Sequence, residues 1–134
     1  MRHIHRNPAG ELMISDLPVA LLAEQFGTPL YVYSGDGFAA YYHAFCDALA
    51  GLDTVVHYAV KANSSLGILA LLGREGAGAD IVSGGELQRC LAAGITANKI
   101  VFSGVGKSDD EIRQALAAGI GQINAESEAE LRHI

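Results

Sequence analysis

The chain has 134 residues, of which 50% are hydrophobic and 18% are charged. This is the length of one ordinary domain, and the composition is too apolar and too weakly charged for a disordered segment. The formal net charge of −6 has the wrong sign for a nucleic-acid-binding surface. No uninterrupted apolar run is long enough for a membrane span, and no apolar stretch follows the polar N-terminus as it would in a signal peptide.

The cysteine and histidine content indicates neither a disulfide framework nor a metal centre. Cys46 and Cys90 could form at most one disulfide, and without a secretory signal we expect two reduced, buried thiols in a cytoplasmic protein. His3 and His5 offer only two metal ligands in a terminal segment, so no metal site is predicted. The sequence therefore favours a cytoplasmic protein that binds neither nucleic acid nor a membrane.

The first third of the chain predicts two helices with a strand between them. Residues 17–26 are amphipathic, and Gly27 and Pro29 follow them as helix-terminating signals. Residues 30–33 read LYVY and predict a strand. Residues 38–49 predict a second helix, whose aromatic side chains share one face. We expect that aromatic face to pack in the core.

The remainder of the chain contains an internal repeat of helix signals. The sequence LAAGI occurs at residues 91–95 and again at 116–120, and each glycine stands where a helix is expected to end. Each copy is preceded by the capping-box pattern S-x-x-E, which begins at Ser83 and at Ser108, and a third box begins at Ser127. The 16 glycines, where an average chain of this length has about 9, are explained by such turns.

Short apolar runs between these helices predict strands. They lie at residues 55–60, 80–82, 100–103 and 122–124. Runs this short and apolar are typical of parallel strands buried on both faces, with the helices as crossovers. The pattern is an α/β fold, and two architectures fit it: an open doubly wound sheet, or part of a (β/α)8 TIM barrel.

In either architecture the functional site lies beyond the carboxyl ends of the strands. The loop after the third strand contains Gly106, Lys107 and Ser108, which resembles the end of a phosphate-binding P-loop. A P-loop requires glycine at position 101, which is valine, and the dinucleotide-binding fingerprint requires glycine at position 109, which is aspartate. A nucleotide-binding domain is therefore a poor alternative.

Lys61 follows the first strand of the repeat directly. A lysine at this position either extends into solvent or lies at the mouth of the sheet, where a neutral amine can act as a nucleophile. Position alone leaves both interpretations open, and the same holds for Asn63 and Ser103, which lie in loops on this edge.

Five motifs, in order, resemble one enzyme family. Residues 58–63 read YAVKAN, and this stretch is similar to the lysine motif of the pyridoxal phosphate (PLP)-dependent decarboxylases built on the alanine-racemase-like barrel. Further similarity lies in FGTPLYVY (26–33), DIVSGGEL (80–87), VFSGVGK (101–107) and NAESEAEL (124–131), which together resemble the diaminopimelate-decarboxylating branch. The resemblance extends from about residue 12 to residue 134.

The resemblance implies a fold, a cofactor and two site residues. Residues 35–134 would be the first half of a PLP-binding (β/α)8 barrel, about four βα units, and residues 1–34 would carry a strand of the β-domain of the complete enzyme. Lys61 would be the catalytic residue that holds pyridoxal 5′-phosphate, and Asp80 would be a second cofactor-binding residue. A carboxylate at Asp80 that merely caps the next helix is an equally weighted alternative, and Glu86 is better explained by its capping box.

The implied reaction is the decarboxylation of meso-2,6-diaminoheptanedioate to L-lysine by a homodimer. The family's phosphate loop, the acid that faces the pyridine nitrogen and the substrate-binding groups have no counterparts in these 134 residues. We therefore expect the sequence to be a fragment that is inactive alone. The alternatives are an ornithine- or arginine-type decarboxylase, the less similar alanine racemase, and a non-catalytic regulator on the same barrel.

Overall fold

The first of two compact units contains a small antiparallel sheet and two helices. The computed structural model describes residues 3–134, and the division between the units falls between Phe45 and Cys46. The sheet has the order β1-β2-β3, and the second helix extends a few residues past the division. The elements are β1 (Ile4–Arg6), β2 (Leu12–Ile14), β3 (Leu17–Pro18), α1 (Val19–Phe26) and α2 (Gly35–Ala48).

The structure changes two predictions in this unit. The helix predicted at 17–26 begins at Val19, because Leu17 and Pro18 pair with β2. The strand predicted at 30–33 is wrong for this chain: these residues lie outside regular secondary structure, and Tyr31 is 86% exposed. A strand needs a neighbour for its backbone hydrogen bonds, and none of the described strands pairs with this segment.

Helix α2 begins earlier than predicted, and its aromatic face is not buried. The hydroxyl of Ser34 accepts a hydrogen bond from the N–H of Gly37 at 3.0 Å, which caps the helix three residues before the predicted start. The expected core packing is wrong for Tyr41 and Phe45, which are 74% and 58% exposed. The sequence pattern identifies an apolar face, but it does not identify what covers that face.

The second unit consists of four parallel strands connected by helices. Its sheet has the order β4-β5-β6-β7, so each strand lies beside its neighbour in sequence. Doubly wound sheets reverse their order at a switch point, whereas this constant order is typical of a βα barrel. The elements are β4 (His57–Ala59), α3 (Leu66–Arg74), β5 (Gly78–Ile81), α4 (Gly84–Ala92), β6 (Ile100–Phe102), α5 (Asp109–Ala118), β7 (Gln122–Ile123) and α6 (Glu128–Leu131), with 3₁₀ turns at Val60–Ala62 and Ala97–Lys99.

The core of this unit lies between the sheet and the helices α3 to α5. Alternate strand residues point into it, and Ile81, Ile100 and Phe102 are completely buried there. The buried residues that the helices contribute to this cluster include Leu69, Leu87, Cys90 and Ala115. Burial of each leucine, isoleucine or phenylalanine side chain contributes about 1.5–3 kcal/mol to the driving force for folding.

The other face of the sheet carries the residues that alternate with the core. Ala59, Asp80 and Val101 are half-buried, and Gln122 is exposed. The prediction that these strands are buried on both faces is therefore wrong for this chain. The cause is topological, because crossovers of one hand place every helix of the unit on the same side of the sheet.

All three predicted helix caps are present, with different geometry. Ser83, Ser108 and Ser127 each accept a hydrogen bond from the backbone N–H three residues later, but only Ser108 and Glu111 form the reciprocal box. Helix α5 ends at Gly119 in the left-handed conformation, as predicted. Among residues 3–134, no helix combines the length and apolar character needed to cross a membrane.

Candidate functional site

Polar side chains gather at the carboxyl edge of the four-stranded sheet. Lys61 lies in the 3₁₀ turn directly after β4, Asp80 lies within β5, and Ser103 and Asn124 follow β6 and β7 directly. Since parallel strands end at the same edge, the fold brings together four residues that are far apart in sequence. Three of them, Lys61, Asp80 and Ser103, are residues that the sequence analysis singled out.

Lys61 is an exposed lysine whose amine is not engaged. The chain has three lysines, and the other two are hydrogen-bonded: Lys99 to the carbonyl of Gly76, and Lys107 to three acceptors. Among the described residues, the Nζ of Lys61 has no hydrogen-bond or ion-pair partner. Its amine is therefore available to react with a carbonyl compound that enters this edge of the sheet.

The loop that carries Lys61 is held in place around this free side chain. The hydroxyl of Tyr58 donates to the carbonyl of Asn63 at 3.2 Å, and the side-chain oxygen of Asn63 accepts from the N–H of Ser65 at 3.0 Å. Arg89, on α4, donates to the carbonyl of Ser64 at 3.2 Å. These contacts show that Asn63, whose role the sequence left unassigned, helps to fix the loop that follows Lys61.

Asp80 lies on the sheet face that the helices of this unit do not cover. It pairs in register with Ala59, two residues before Lys61 on the adjacent strand. Its carboxylate accepts a hydrogen bond from the hydroxyl of Ser103 at 2.5 Å. Among the described residues Asp80 makes no helix cap, and the cap of α4 comes from Ser83 instead. The alternative interpretation of Asp80 as a capping residue is therefore wrong.

Two further side chains extend this contact, and the sequence analysis missed both. Asn124 donates from Nδ2 to the hydroxyl of Ser103 at 3.0 Å, and Gln122 donates from Nε2 to Oδ1 of Asn124 at 2.5 Å. The available signal was period-two alternation, because Gln122 and Asn124 share the strand face that Asp80 and Val101 occupy.

Lys107 shows why the loop that resembles a P-loop does not bind phosphate in the P-loop manner. Only 1% of its side chain is exposed, and its ammonium donates to the carbonyls of Gly104 and Asn124 at 2.6 and 2.8 Å. It also forms an ion pair with Glu130 at 3.1 Å and lies 5.6 Å from the ring centroid of Phe102. The positive charge is thus directed into the protein.

Carboxylates occupy the helix starts on this edge. Glu86 accepts from the N–H of Val82 at 2.8 Å, which supports its interpretation as a capping residue. Glu111 accepts from the N–H of Gly84 at 2.8 Å and from Ser108, and these hydrogen bonds lower the pKa of its carboxyl group. The pKa of Glu130 is also lowered, chiefly by the N–H of Glu126.

An open cavity of about 300 Å³ lies beside α6 within the second unit. Its lining is mostly acidic or small, and includes Val105, Gly106, Asp109, Glu126, Glu130 and His133. Since the ammonium of Lys107 is already neutralised by Glu130, the acidic lining would repel an anionic phosphate. This cavity is therefore a poor candidate for the phosphate end of a cofactor.

Both cysteines are free, as predicted. Cys90 is fully buried, and burial raises the pKa of its thiol to about 11, whereas Cys46 is only half-buried. The expectation of two buried thiols is therefore confirmed for Cys90 alone. Neither cysteine lies at the carboxyl edge of the sheet.

This fold, and an exposed lysine at the carboxyl edge of its sheet, agree with the comparison of the chain with protein families. The model of the pyridoxal-binding domain of pyridoxal-dependent decarboxylases matches residues 37–134. The chain belongs to this family, whose cofactor is pyridoxal phosphate. The fold class predicted from the sequence, part of the alanine-racemase-like barrel, is confirmed by the solved relatives.

The similar proteins are amino-acid decarboxylases. The diaminopimelate decarboxylase of Pseudomonas fluorescens is 55% identical over 122 residues, which is 91% of this chain and 29% of that protein. The crystal structure of diaminopimelate decarboxylase from M. jannaschii has a TM-score of 0.89 and 38% identity, over 98% of this chain and 32% of that one. The crystal structure of the lysine/ornithine decarboxylase of Vibrio vulnificus has a TM-score of 0.80 and 30% identity, over 86% of this chain and 31% of that one. The chain thus spans about 30% of the length of these relatives.

The residues at the carboxyl edge fit one end of pyridoxal phosphate. The cofactor's aldehyde requires an unengaged amine, and Lys61 provides one. A carboxylate nearby favours positive charge on that nitrogen, and Asp80 lies on the adjacent strand. The described residues therefore supply groups suited to the aldehyde end of the cofactor.

Proposed function

We propose that this chain supplies the lysine-bearing part of the cofactor site of a decarboxylase that converts meso-2,6-diaminoheptanedioate to L-lysine. The observation that carries the proposal is the unengaged amine of Lys61 at the carboxyl edge of the sheet, in a chain of a pyridoxal-dependent family. Of the three lysines, Lys61 has the position and freedom that covalent attachment of a cofactor requires.

Each residue at the edge has a defined task in this proposal. Lys61 would hold the cofactor through Nζ, and Asp80 would stabilise positive charge near that nitrogen. Asn63 and Arg89 would keep the loop that follows Lys61 in one conformation. Bound pyridoxal phosphate supplies the electron sink that makes loss of CO2 feasible.

The proposed substrate rests on the similar proteins. Relatives named diaminopimelate decarboxylase reach 55% identity, whereas the lysine/ornithine decarboxylase structure is 30% identical. Both kinds of enzyme act on amino acids with a second charged end, so the distinction lies in whether that end is another amino-acid group or a simple amine. The resemblance of residues 80–87 and 101–107 favours the first.

The proposal includes the organisation of the complete enzyme. Residues 35–134 form the first half of the barrel, and residues 1–34 contribute a strand to the β-domain of the complete enzyme. The enzyme is a cytoplasmic homodimer that acts on a small-molecule substrate. Light scattering coupled to size-exclusion chromatography of the full-length protein tests the dimer, and a monomeric mass would contradict it.

Borohydride trapping tests the cofactor site directly. The full-length protein is incubated with pyridoxal phosphate, reduced, digested and analysed by mass spectrometry. We expect one pyridoxyl group on Lys61, and none in the K61A variant. The matched control is K99A, because Lys99 is also at the surface but donates to Gly76. An unlabelled Lys61 in the wild-type protein would overturn the proposal and favour a non-catalytic regulator.

A substrate panel tests the reaction. Release of CO2 is measured with meso-2,6-diaminoheptanedioate, lysine, ornithine and arginine at equal concentrations. We expect kcat/KM to be at least 100-fold higher for the first than for the others. A preference for ornithine or arginine would keep the cofactor site but replace the proposed substrate.

A further inference from the structure

We propose that Ser103 and Asn124 are positioning residues that orient the Asp80 carboxylate toward the lysine-bound end of the cofactor. This inference rests on the proposed function. Its basis is a chain of hydrogen bonds that crosses three strands and ends at Asp80. Neither residue needs to touch the cofactor for this role.

The hydrogen bonds in this chain all run in the same direction. Gln122 donates to the side-chain oxygen of Asn124, and this leaves the amide nitrogen of Asn124 to donate to Ser103. A hydroxyl has one proton to donate. Since Ser103 accepts from Asn124, its proton is available for Oδ1 of Asp80. The network therefore delivers a hydrogen-bond donor to Oδ1 of Asp80.

The backbone fixes the members of the chain relative to one another. The N–H of Ser103 donates to the carbonyl of Ile81 at 2.8 Å, and the N–H of Asn124 donates to that of Phe102 at 2.9 Å. These bonds continue the sheet ladder past the ends of β6 and β7. Lys107 also binds the carbonyl of Asn124, so that residue is held from both sides.

The position of Asp80 explains what this chain of hydrogen bonds can accomplish. Asp80 is half-buried on the open face of the sheet. Its register partner on β4 is Ala59, and Lys61 follows Ala59 by two residues. A free Asp side chain has several rotamers, and only some direct its charge along the strand toward the carboxyl edge. With one carboxylate oxygen bound to Ser103, the other has a defined direction. The geometry assigns Ser103 and Asn124 to this task.

The dissociation constant of pyridoxal phosphate tests the assignment. It is measured by absorbance titration of the full-length apoprotein and its variants. We expect the dissociation constant of S103A to be about tenfold larger than that of the wild type. The dissociation constant of S103T, which keeps the hydroxyl, is expected to lie within about twofold of the wild-type value.

Two variants of Asn124 test the direction of the chain. N124A removes a donor to Ser103, and we expect the dissociation constant to be about threefold larger than in the wild type. N124D instead presents a carboxylate that competes with Asp80 for the proton of Ser103. We therefore expect N124D to bind pyridoxal phosphate more weakly than N124A does. If Asn124 only filled space, the nearly isosteric N124D would be the milder change, and that order would overturn the inference.

The matched control is S108A. Ser108 lies in the same loop as Ser103, and S108A also removes a hydrogen-bonded hydroxyl. The partner of that hydroxyl is Glu111, at the start of α5. We expect a lower melting temperature with an unchanged dissociation constant. An equal weakening in S108A and S103A would show that loop stability is responsible, and would overturn the inference. Failure of borohydride to label wild-type Lys61 would instead overturn the proposed function.

Discussion

Lys107 has a charge that is almost completely removed from solvent, because its ammonium is enclosed by two carbonyl groups and one carboxylate. It connects the loop after β6 to the end of β7 and to α6. A buried charge is stable only with all its partners present, and removal of one member leaves the others unsatisfied. The residue therefore couples two loops at the carboxyl edge.

Replacement of Lys107 by methionine tests this coupling. The side chain keeps its approximate length, but the carbonyls of Gly104 and Asn124 lose their donor. We expect a loss of about 2 kcal/mol or more in the free energy of unfolding, from urea denaturation of the full-length protein. The control K99M removes one hydrogen bond at the surface, with an expected change within about 0.5 kcal/mol. Equal effects of the two variants would show that Lys107 has no special role.

At the scale of secondary-structure elements, Glu111 connects the starts of two helices. It caps its own helix α5 through Ser108, and it accepts from the N–H of Gly84 at the start of α4. Negative charge is favourable at both positions because helix N-termini carry partial positive charge. These hydrogen bonds favour the ionised carboxyl group, which is why its pKa is lowered.

This lowered pKa predicts a dependence of stability on pH. A group whose pKa is lower in the folded state stabilises the protein above its unfolded value of 4.5, and the contribution is lost as the pH falls through the folded value. We expect E111Q to cost about 0.3–1 kcal/mol at pH 7, the usual contribution of a negative charge near a helix N-terminus, and less at pH 3. Urea denaturation at both pH values measures the difference.

The control for this experiment is E24Q, which removes an exposed carboxylate from α1 and accounts for the general effect of one charge. A cost of E111Q that is the same at both pH values would contradict the assignment. Because Gln can still accept a hydrogen bond, the comparison isolates the contribution of charge.

Glycines determine where strands can approach their neighbours. At Gly121, just before β7, an added Cβ would overlap the backbone oxygen of Asn98, which cannot move without disturbing the turn before β6. At Gly67, in α3, an added Cβ would lie 3.8 Å from the Ser65 hydroxyl, which is an ordinary van der Waals contact. The two positions therefore allow the same substitution to be compared with and without a backbone clash.

We expect G121A to destabilise the protein by about 1–3 kcal/mol, the usual cost of overpacking. G67A is expected to be neutral or to stabilise by up to about 1 kcal/mol, because alanine is the better helix former. Melting temperatures of the two variants measure the contrast. A G121A protein as stable as wild type would show that the turn at Asn98 adjusts easily.

At the scale of the whole molecule, the sheet of the second unit has one face that its helices cover and one face that they leave uncovered. Its helices cover one side of the sheet, whereas Asp80 and Val101 on the other side are only half-buried. Within this unit, β4 and β7 each have a neighbour on one side only. An unpaired strand edge exposes hydrogen-bonding groups that pair readily with another segment.

The 134-residue chain by itself is expected to bind pyridoxal phosphate weakly and to release no CO2 from meso-2,6-diaminoheptanedioate. It has the amine of Lys61 but only groups suited to the aldehyde end of the cofactor, and the open sheet face leaves that amine in water. An absorbance titration with and without K61A, together with a CO2 assay, measures both. Tight binding that K61A abolishes, together with turnover, would contradict this prediction.

The sequence alone determined the order of helices and strands in the second unit, the helix caps and the family resemblance. These follow from local patterns: capping boxes, apolar alternation and the motif around Lys61 are each contained within a few residues. The same locality explains the misassigned segment 30–33 and the exposed Tyr41, since a strand partner and a covering surface are supplied by distant residues.

Only the tertiary structure decided which polar residues meet at the carboxyl edge of the sheet. Asp80, Ser103 and Asn124 are each more than 20 residues apart, and strand register, which depends on the whole sheet, brings them within hydrogen-bond distance. It also separated two lysines that look alike in sequence: Lys61 is free because its loop ends at an open edge, whereas Lys107 is enclosed because a later helix supplies Glu130.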